Sequence, residues 1–273
     1  MIKAETAYVT LLTHHAYLPG AVALVRSLTL TGTTADIVIL HTEGIVTDML
    51  KPLVNLGAKP VQVDLLDVSD EFRQTHRKDK IHGDAPFTKG RKPDFHTPLA
   101  NFAKLRLWQL TQYDKVVFLD ADVIVIRNID ALFDYPEFCG APNVYESLRD
   151  FHRLNSGVFT AKPSEITFSA MMDKLDTPGV FWQRTDQTFL QSYFPDWHGL
   201  PIFYNTLQYI WFNLPELWNW NSVRVIHYQY EKPWETDNPR ARRLGPLIDI
   251  WQAYCSGKDI PEFSDMPNPS FRI

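Results

Sequence analysis

Two aspartates one residue apart, Asp120 and Asp122, interrupt an otherwise apolar stretch, VVFLDADVIVIRNIDALF, at residues 116–133. An ionised carboxylate in such surroundings is costly unless a cation or hydrogen bonds compensate it, so the pair demands a partner. If the chain stays extended through Ala121, residues i and i+2 face the same side and both acids aim at one site. Hard divalent cations such as Mn²⁺ or Mg²⁺ take oxygen ligands, commonly one or two carboxylates plus the oxygens of a bound phosphate. The small side chain of Ala121 leaves room for a ligand to approach. Two other readings fit the pair taken alone. The acids could be turn or helix-capping residues, or the D-x-D of a phosphatase whose first aspartate is a nucleophile. The mid-chain position of the motif, and the lack of a later acidic GD pair, tell against the phosphatase.

The elements that must position these acids read as an α/β chain. Apolar runs at 7–12, 35–40 and 58–66 read as strands, and they alternate with helical patterns at 19–32 and 47–57. Strand, helix, strand is the mark of a parallel sheet covered by helices. Thr47 is placed to cap the second helix and Gly57 to end it. Phe102, Leu105, Trp108 and Leu110 give the 102–113 segment a helical pattern leading into the acid-bearing strand. Such a pair at a strand end lies where open α/β sheets bind ligands. Farther on, LNSGVFTAKP (154–163) and VRVIHY (223–228) read as strands, Ser164 to about Leu175 as a helix, and the last third is crowded with aromatic residues.

The 273 residues are 45% hydrophobic, enough for a sizeable core, and the formal net charge of −5 gives no global reason to expect nucleic acid. Cys139 and Cys255 stand far apart outside any CxxC spacing, which suggests neither a thiolate zinc site nor a disulfide framework and fits a reducing compartment. Neither a leader-like start nor a run of about 18 apolar residues is visible, so the expectation is a cytoplasmic protein. A basic segment stands out, from about residue 73 to 92, containing Arg77, Lys78, Lys80, Lys89, Arg91 and Lys92. It reads as a solvated loop or as a lid over an anionic lipid or acceptor. The expected organisation is one domain over 1–257, with a nucleotide-binding part to about 125, an acceptor part over 126–257, and a tail at 258–273.

Several blocks in order resemble glycosyltransferase family 8, the group that contains glycogenin and galactinol synthase. They are VTLLTHHAYLPGAVALVRSL, NFAKLRLWQLTQYDKVVFLDADVIVIRNIDALF, LNSGVF, TDQTFLQSYF, LPIFYN and VIHYQYEKPW, spanning roughly residues 7 to 252. The resemblance implies a GT-A fold, with a Rossmann-like, mostly parallel sheet and helices on both faces. It also implies a metal-dependent transferase that moves a hexosyl group from a UDP-sugar to a hydroxyl acceptor with retention of configuration.

Carried over residue by residue, the resemblance puts Leu11, Thr13 and Tyr17 against the uridine. Asp120, Asp122 and His227 become the ligands of Mn²⁺ or Mg²⁺, with Ala121 at the bound nucleotide. Neutral imidazole suits Mn²⁺. Lys104 and Lys232 would face the sugar and the diphosphate and stabilise the leaving group as its charge develops. Asn155 and Ser156, beside Gly157, offer short polar groups where the backbone must approach a sugar. Asp186 and Gln187 would bond sugar hydroxyls, with Asp186 near the reacting carbon; as residues alone they could equally cap a helix.

Where glycogenin carries its self-glucosylated tyrosine, this chain reads YIWFNLP, so self-priming is not expected. Expected partners are a UDP-sugar (glucose, galactose or glucuronate) and an acceptor such as inositol, a glycolipid or a glycan. Peripheral contact with anionic lipid and a homodimer are further expectations. A non-catalytic sugar-binding protein on the same fold is the competing class, since eight tryptophans could line a carbohydrate groove.

Overall fold

The computed structural model describes residues 5–77, 92–177 and 185–269. Most of the basic segment therefore lies outside the described residues. The chain opens with β1 (Thr6–Leu12), α1 (Leu18–Leu30), β2 (Asp36–His41), α2 (Thr47–Asn55) and β3 (Lys59–Gln62). After α3 (Asp70–Thr75) and the single turn α4 (Pro98–Asn101) comes the acid-bearing pair β4 (Lys115–Leu119) and β5 (Val123–Val125). Then follow β6 (Cys139–Pro142), β7 (Leu154–Ala161), α5 (Glu165–Leu175), α6 (Asp186–Tyr193), β8 (His198–Gly199) and β9 (Thr206–Leu207). The chain continues through α7 (Ile210–Asn213), β10 (Val225–His227) and α8 (Ala241–Ser256).

Seven strands form the main sheet in the order β3-β2-β1-β4-β7-β6-β8. The run from β3 through β4 is parallel, whereas β7 runs antiparallel to both β4 and β6. Alternation along the strands builds two cores at once. Ala7, Val9, Val116 and Phe118 face Leu105, Trp108, Met171 and Phe189 on one side. On the other side Tyr8, Leu12, Val117 and Leu119 face Leu24, Val25 and Leu28 of α1. A sheet covered on both faces needs both sets of side chains apolar, which is why VVFL reads as a continuous greasy run. A second sheet, β5-β10-β9, carries the aromatic third of the chain. There Trp211, Trp218 and Trp220 pack against Leu244, Leu247 and Trp251 of α8. Among the described residues no helix is long and apolar enough to cross a membrane.

Two local expectations are corrected and one is sharpened. The helix read over 102–113 is present over 102–109, as a 3-10 helix. Phe102, Leu105 and Trp108 recur every third residue, and a three-residue turn stacks all three on the core. Thr47 lies inside α2 and Val46 takes the cap position without a side-chain bond; Gly57, at φ +93°, does close that segment. The third strand stops at Gln62 rather than continuing to 66.

Candidate active site

β4 delivers the two acids, though not as an extended strand. The chain turns at Ala121–Asp122, with the Val123 amide donating to the Asp120 carbonyl at 3.3 Å. It re-enters as β5, which pairs with β10 in the second sheet. The turn therefore sits where the two sheets part, and His227 at the end of β10 is registered against Val123. Close approach is required at two points around it. A Cβ on Gly20 would collide with the Ala121 carbonyl oxygen and, at 2.7 Å, with the Trp234 ring. A Cβ on Gly157 would come within 2.6 Å of His227 Nδ1.

Carboxylate oxygens of Asp120 and Asp122 and a ring nitrogen of His227 lie within 4.8 Å of one another. His227 Nε2 stands 3.3 Å from Asp122 Oδ1 and 3.9 Å from Asp120 Oδ2. Its Nδ1 lies 2.9 Å from Asn205 Oδ1. Asn205 in turn donates through Nδ2 to Asn155 Oδ1 at 2.8 Å, so its oxygen is the atom facing the ring and accepts from Nδ1–H. That tautomer leaves the Nε2 lone pair aimed at the two acids. Two hard oxygen donors and one imidazole nitrogen fit Mn²⁺ or Mg²⁺, with further positions left for a substrate's phosphate oxygens.

Lysines flank this set on both sides. Lys104 Nζ, almost fully buried, pairs with Asp186 at 2.7 Å and Asp120 at 3.3 Å. Burial pulls its ammonium down, but the two carboxylates outweigh that and hold it above its ordinary value. Lys232 pairs with Asp122 and donates to the Tyr228 carbonyl at 2.9 Å. Burial raises the Asp122 carboxyl, yet the charges and hydrogen bonds around it, those of Lys232 first, more than reverse this and keep it ionised far below the usual range. Asp120 is the accessible acid: its side chain is 32% exposed, against 10% for Asp122 and 9% for Asp186. A ligand thus meets Asp120 first.

The remaining sequence-derived residues sort by position. Asp186 begins α6; the cap is Thr185, which accepts from Thr188 N, so the acid is free of capping duty and faces Lys104. Ser156 Oγ donates to Asp186 Oδ2 at 3.1 Å, and Gln187 Oε1 accepts the Ser156 amide at 3.2 Å. Asn155 accepts from Gly157 N and donates to Asn143 Oδ1 at 2.8 Å. Leu11 lies in β1 and Thr13 just past its end, on the far side of β4 from Asn155. Tyr17 bridges this side to the centre. Its ring packs edge-on to Phe95 at 4.9 Å, and burial, with the charges of Asp122 and Asp120, raises its phenol well above the ordinary value.

Reading the sequence missed four members. Asn205 closes the LPIFYN block and orients the histidine; only its place in that block hinted at a role. Asn143 supports Asn155 across β6 and β7. Tyr145, 3.4 Å from Asn155 Nδ2, carried no motif. Lys92 counted as a charge on the basic loop, but its Nζ lies 4.8 Å over the Tyr230 ring, within the field of Asp122, Asp120 and Asp186. Burial lowers its ammonium and the acids offset this only in part. Burial likewise lowers the Lys232 ammonium and raises the Asp120 carboxyl.

A mostly parallel sheet with the acid turn at the end of its central strand defines the GT-A glycosyltransferase fold. The galactosyltransferase LgtC, solved in complex with donor and acceptor sugar analogs, superposes with a TM-score of 0.62 over 94% of this chain and 98% of its own, at 17% identity. Residues 8–153 match the sequence model of glycosyl transferase family 8, and the chain belongs to that family. It is 35% identical over 239 residues to a putative UDP-glucuronate:xylan alpha-glucuronosyltransferase 5 of Arabidopsis thaliana, covering 84% of this chain and 36% of that protein. Glycogenin-1 of Homo sapiens is 34% identical over 250 residues, covering 88% of this chain and 65% of that protein. The chain therefore spans little more than a third of the plant relative's length.

Proposed function

We infer that the protein transfers a hexosyl group from a UDP-sugar to a hydroxyl acceptor, with a divalent cation and with retention of anomeric configuration. The observation that carries this reading is the convergence of Asp120, Asp122 and His227 Nε2 within 4.8 Å, flanked by the buried ammonium groups of Lys104 and Lys232. When bound, the cation supplies Lewis-acid neutralisation of the diphosphate.

The chain's own residues account for the rest. Lys232 is held on a backbone carbonyl and a carboxylate, ready to exchange the carboxylate for a diphosphate oxygen. As the bond between the anomeric carbon and the phosphate oxygen breaks, the electron pair leaves on UDP, and a preorganised cation in a dry site stabilises that charge. The acceptor oxygen bonds the same carbon from the same face, and its proton passes to the departing phosphate oxygen. Asp186, locked by Lys104 and Ser156, orients sugar hydroxyls, and Gln187 fixes the Ser156 backbone beside it. Leu11, Thr13 and Tyr17 take the uridine.

UDP-glucuronate is the first donor to try, because the plant relatives are named for it. The test is release of UDP from UDP-glucuronate, UDP-glucose, UDP-galactose and UDP-N-acetylglucosamine, with and without Mn²⁺. Metal-dependent release from one of them is expected. The reading fails if wild-type protein neither binds UDP nor releases it under any of these conditions.

A further inference from the structure

Three arginines gather where α8 begins. Arg240 holds its N-cap position and Arg242 and Arg243 lie in its first turn, which carries no acidic side chain. The positive end of a helix dipole disfavours cations, so helix stability does not account for them. Arg242 and Arg243 are exposed and Arg240 is half-buried. Among the described residues neither Arg242 nor Arg243 forms an ion pair, not even with Asp237 of the preceding loop.

Phe212, near the end of α7, holds two of them together. The Arg243 guanidinium carbon lies 5.5 Å from the centre of its ring and that of Arg240 lies 5.7 Å from it, while Arg240 also stands 5.7 Å over the Tyr209 ring. Stacking takes up the flat face of a guanidinium and leaves its N–H edge for a planar, bidentate acceptor. It also fixes that edge before a partner arrives, which lowers the ordering cost of binding. The start of α8 is anchored too: Asn238 Oδ1 accepts from the Arg240 amide at 2.8 Å, and its Nδ2 donates to the Lys232 carbonyl at 3.2 Å. The patch is thus braced on the loop that carries Lys232, yet it uses none of the groups at the acid turn.

We propose that this patch docks an acidic peptide segment of a partner protein, whose carboxylates pair with the Arg242 and Arg243 guanidinium groups. The proposal is independent of the transferase reading. Reading of acidic segments by arginine clusters is a recurring mode of peptide recognition, and charge complementarity is what this surface offers. A bilayer is a poorer occupant, because insertion needs an apolar wedge and none of the large apolar side chains exposed among the described residues lies after Ile166. A neutral glycan needs an open aromatic face, and the Phe212 ring already carries two guanidinium groups. Nucleic acid would meet a chain of net charge −5.

The experiment measures binding of the full chain to a fluorescent peptide of alternating glutamate and serine, about twelve residues long, at about 50 mM salt. The same peptide with glutamine for glutamate, oligogalacturonate and phosphatidylserine vesicles serve as comparisons. Wild type should bind the glutamate peptide at least about tenfold more tightly than the glutamine peptide. The double variant Arg242→Glu with Arg243→Glu should weaken that binding at least about tenfold, and Arg242→Lys with Arg243→Lys about threefold, since lysine keeps the charge and loses the fork. Lys258→Glu, just past the opposite end of α8, should change it less than about twofold, because exposed charges that far away are screened. The glutamate variant should unfold no earlier than wild type on heating, as acids suit the start of a helix. Should it unfold earlier, the lysine pair alone decides. The proposal is overturned if the two peptides bind alike, if either double variant binds as well as wild type, or if Lys258→Glu weakens binding equally. Oligogalacturonate or vesicles binding at least as tightly as the peptide would overturn it as well. So would self-association at the same concentrations that the glutamate variant abolishes, for then the occupant is a second copy.

Discussion

The acid turn after β4 and the tryptophan cluster under α8 are both dense and largely dry, yet they cohere by opposite means. At the turn, Asp120, Asp122 and Asp186 are set against the buried ammonium groups of Lys104 and Lys232, and each needs its partner. In the aromatic cluster Trp211, Trp218 and Trp220 meet at centroid distances of 5.1–5.7 Å, and the energy is spread over many weak contacts. A charge network is suited to binding because a charged ligand can replace one of its partners. An aromatic cluster is suited to holding β10, and with it His227, in place.

Removing a charge should therefore do more than removing a ring. Asp122→Asn is expected to abolish Mn²⁺-dependent UDP release, a drop of at least about 100-fold of the kind seen when a charge-stabilising group is lost. It should also destabilise the fold by about 3–5 kcal/mol in urea unfolding, since Lys232 is left buried without its carboxylate. The sign with pH follows from the depressed carboxyl: its contribution is present above the unfolded value near 4 and lost as pH falls through the folded one. The variant and wild type should converge in stability in strong acid. Next in size, Trp220→Ala should cost about 3 kcal/mol of stability, the lower end for a buried large ring, while UDP affinity measured in the folded range changes little.

Asn205→Ala probes the join between the two regions. It frees the His227 ring to rotate and should weaken Mn²⁺ binding about 10- to 100-fold in a metal titration, as loss of a histidine's supporting partner does. The smallest effect belongs to the surface. Lys59, 2.6 Å from Asp36, lowers that carboxyl chiefly through their hydrogen bond. The pair is solvent-screened, so Lys59→Met should cost no more than about 0.5 kcal/mol at neutral pH. The difference should vanish once acid protonates Asp36 in both folded and unfolded chains, because its stabilisation exists only above that range.

Much of the acid turn was legible in the chain. Asp120 and Asp122 stood out because charge in an apolar run needs a partner, and His227 was set beside them by the family resemblance. The unbroken apolar run of Val116, Val117, Phe118 and Leu119 announced a buried strand. Other readings were left open for local reasons. The three-residue spacing of Phe102, Leu105 and Trp108 serves a 3-10 turn as well as an α-helix, and only packing against Phe118 and Phe159 distinguishes them. The acids share one side of an extended strand only if the chain runs on through Ala121; it turns there instead, and β5 pairs with β10 in the second sheet.

Sequence by itself determined the residues that must be paired and the elements that carry them, since burial cost and periodicity are properties of short stretches. Tertiary structure alone decided which partners they meet. Asn205 reaches His227 across 22 residues, and Lys232 reaches Asp122 across 110. Lys92, which follows a basic run in the sequence, is brought within the field of the acids at the turn. Such pairings depend on strand order and register, which no short stretch of sequence contains.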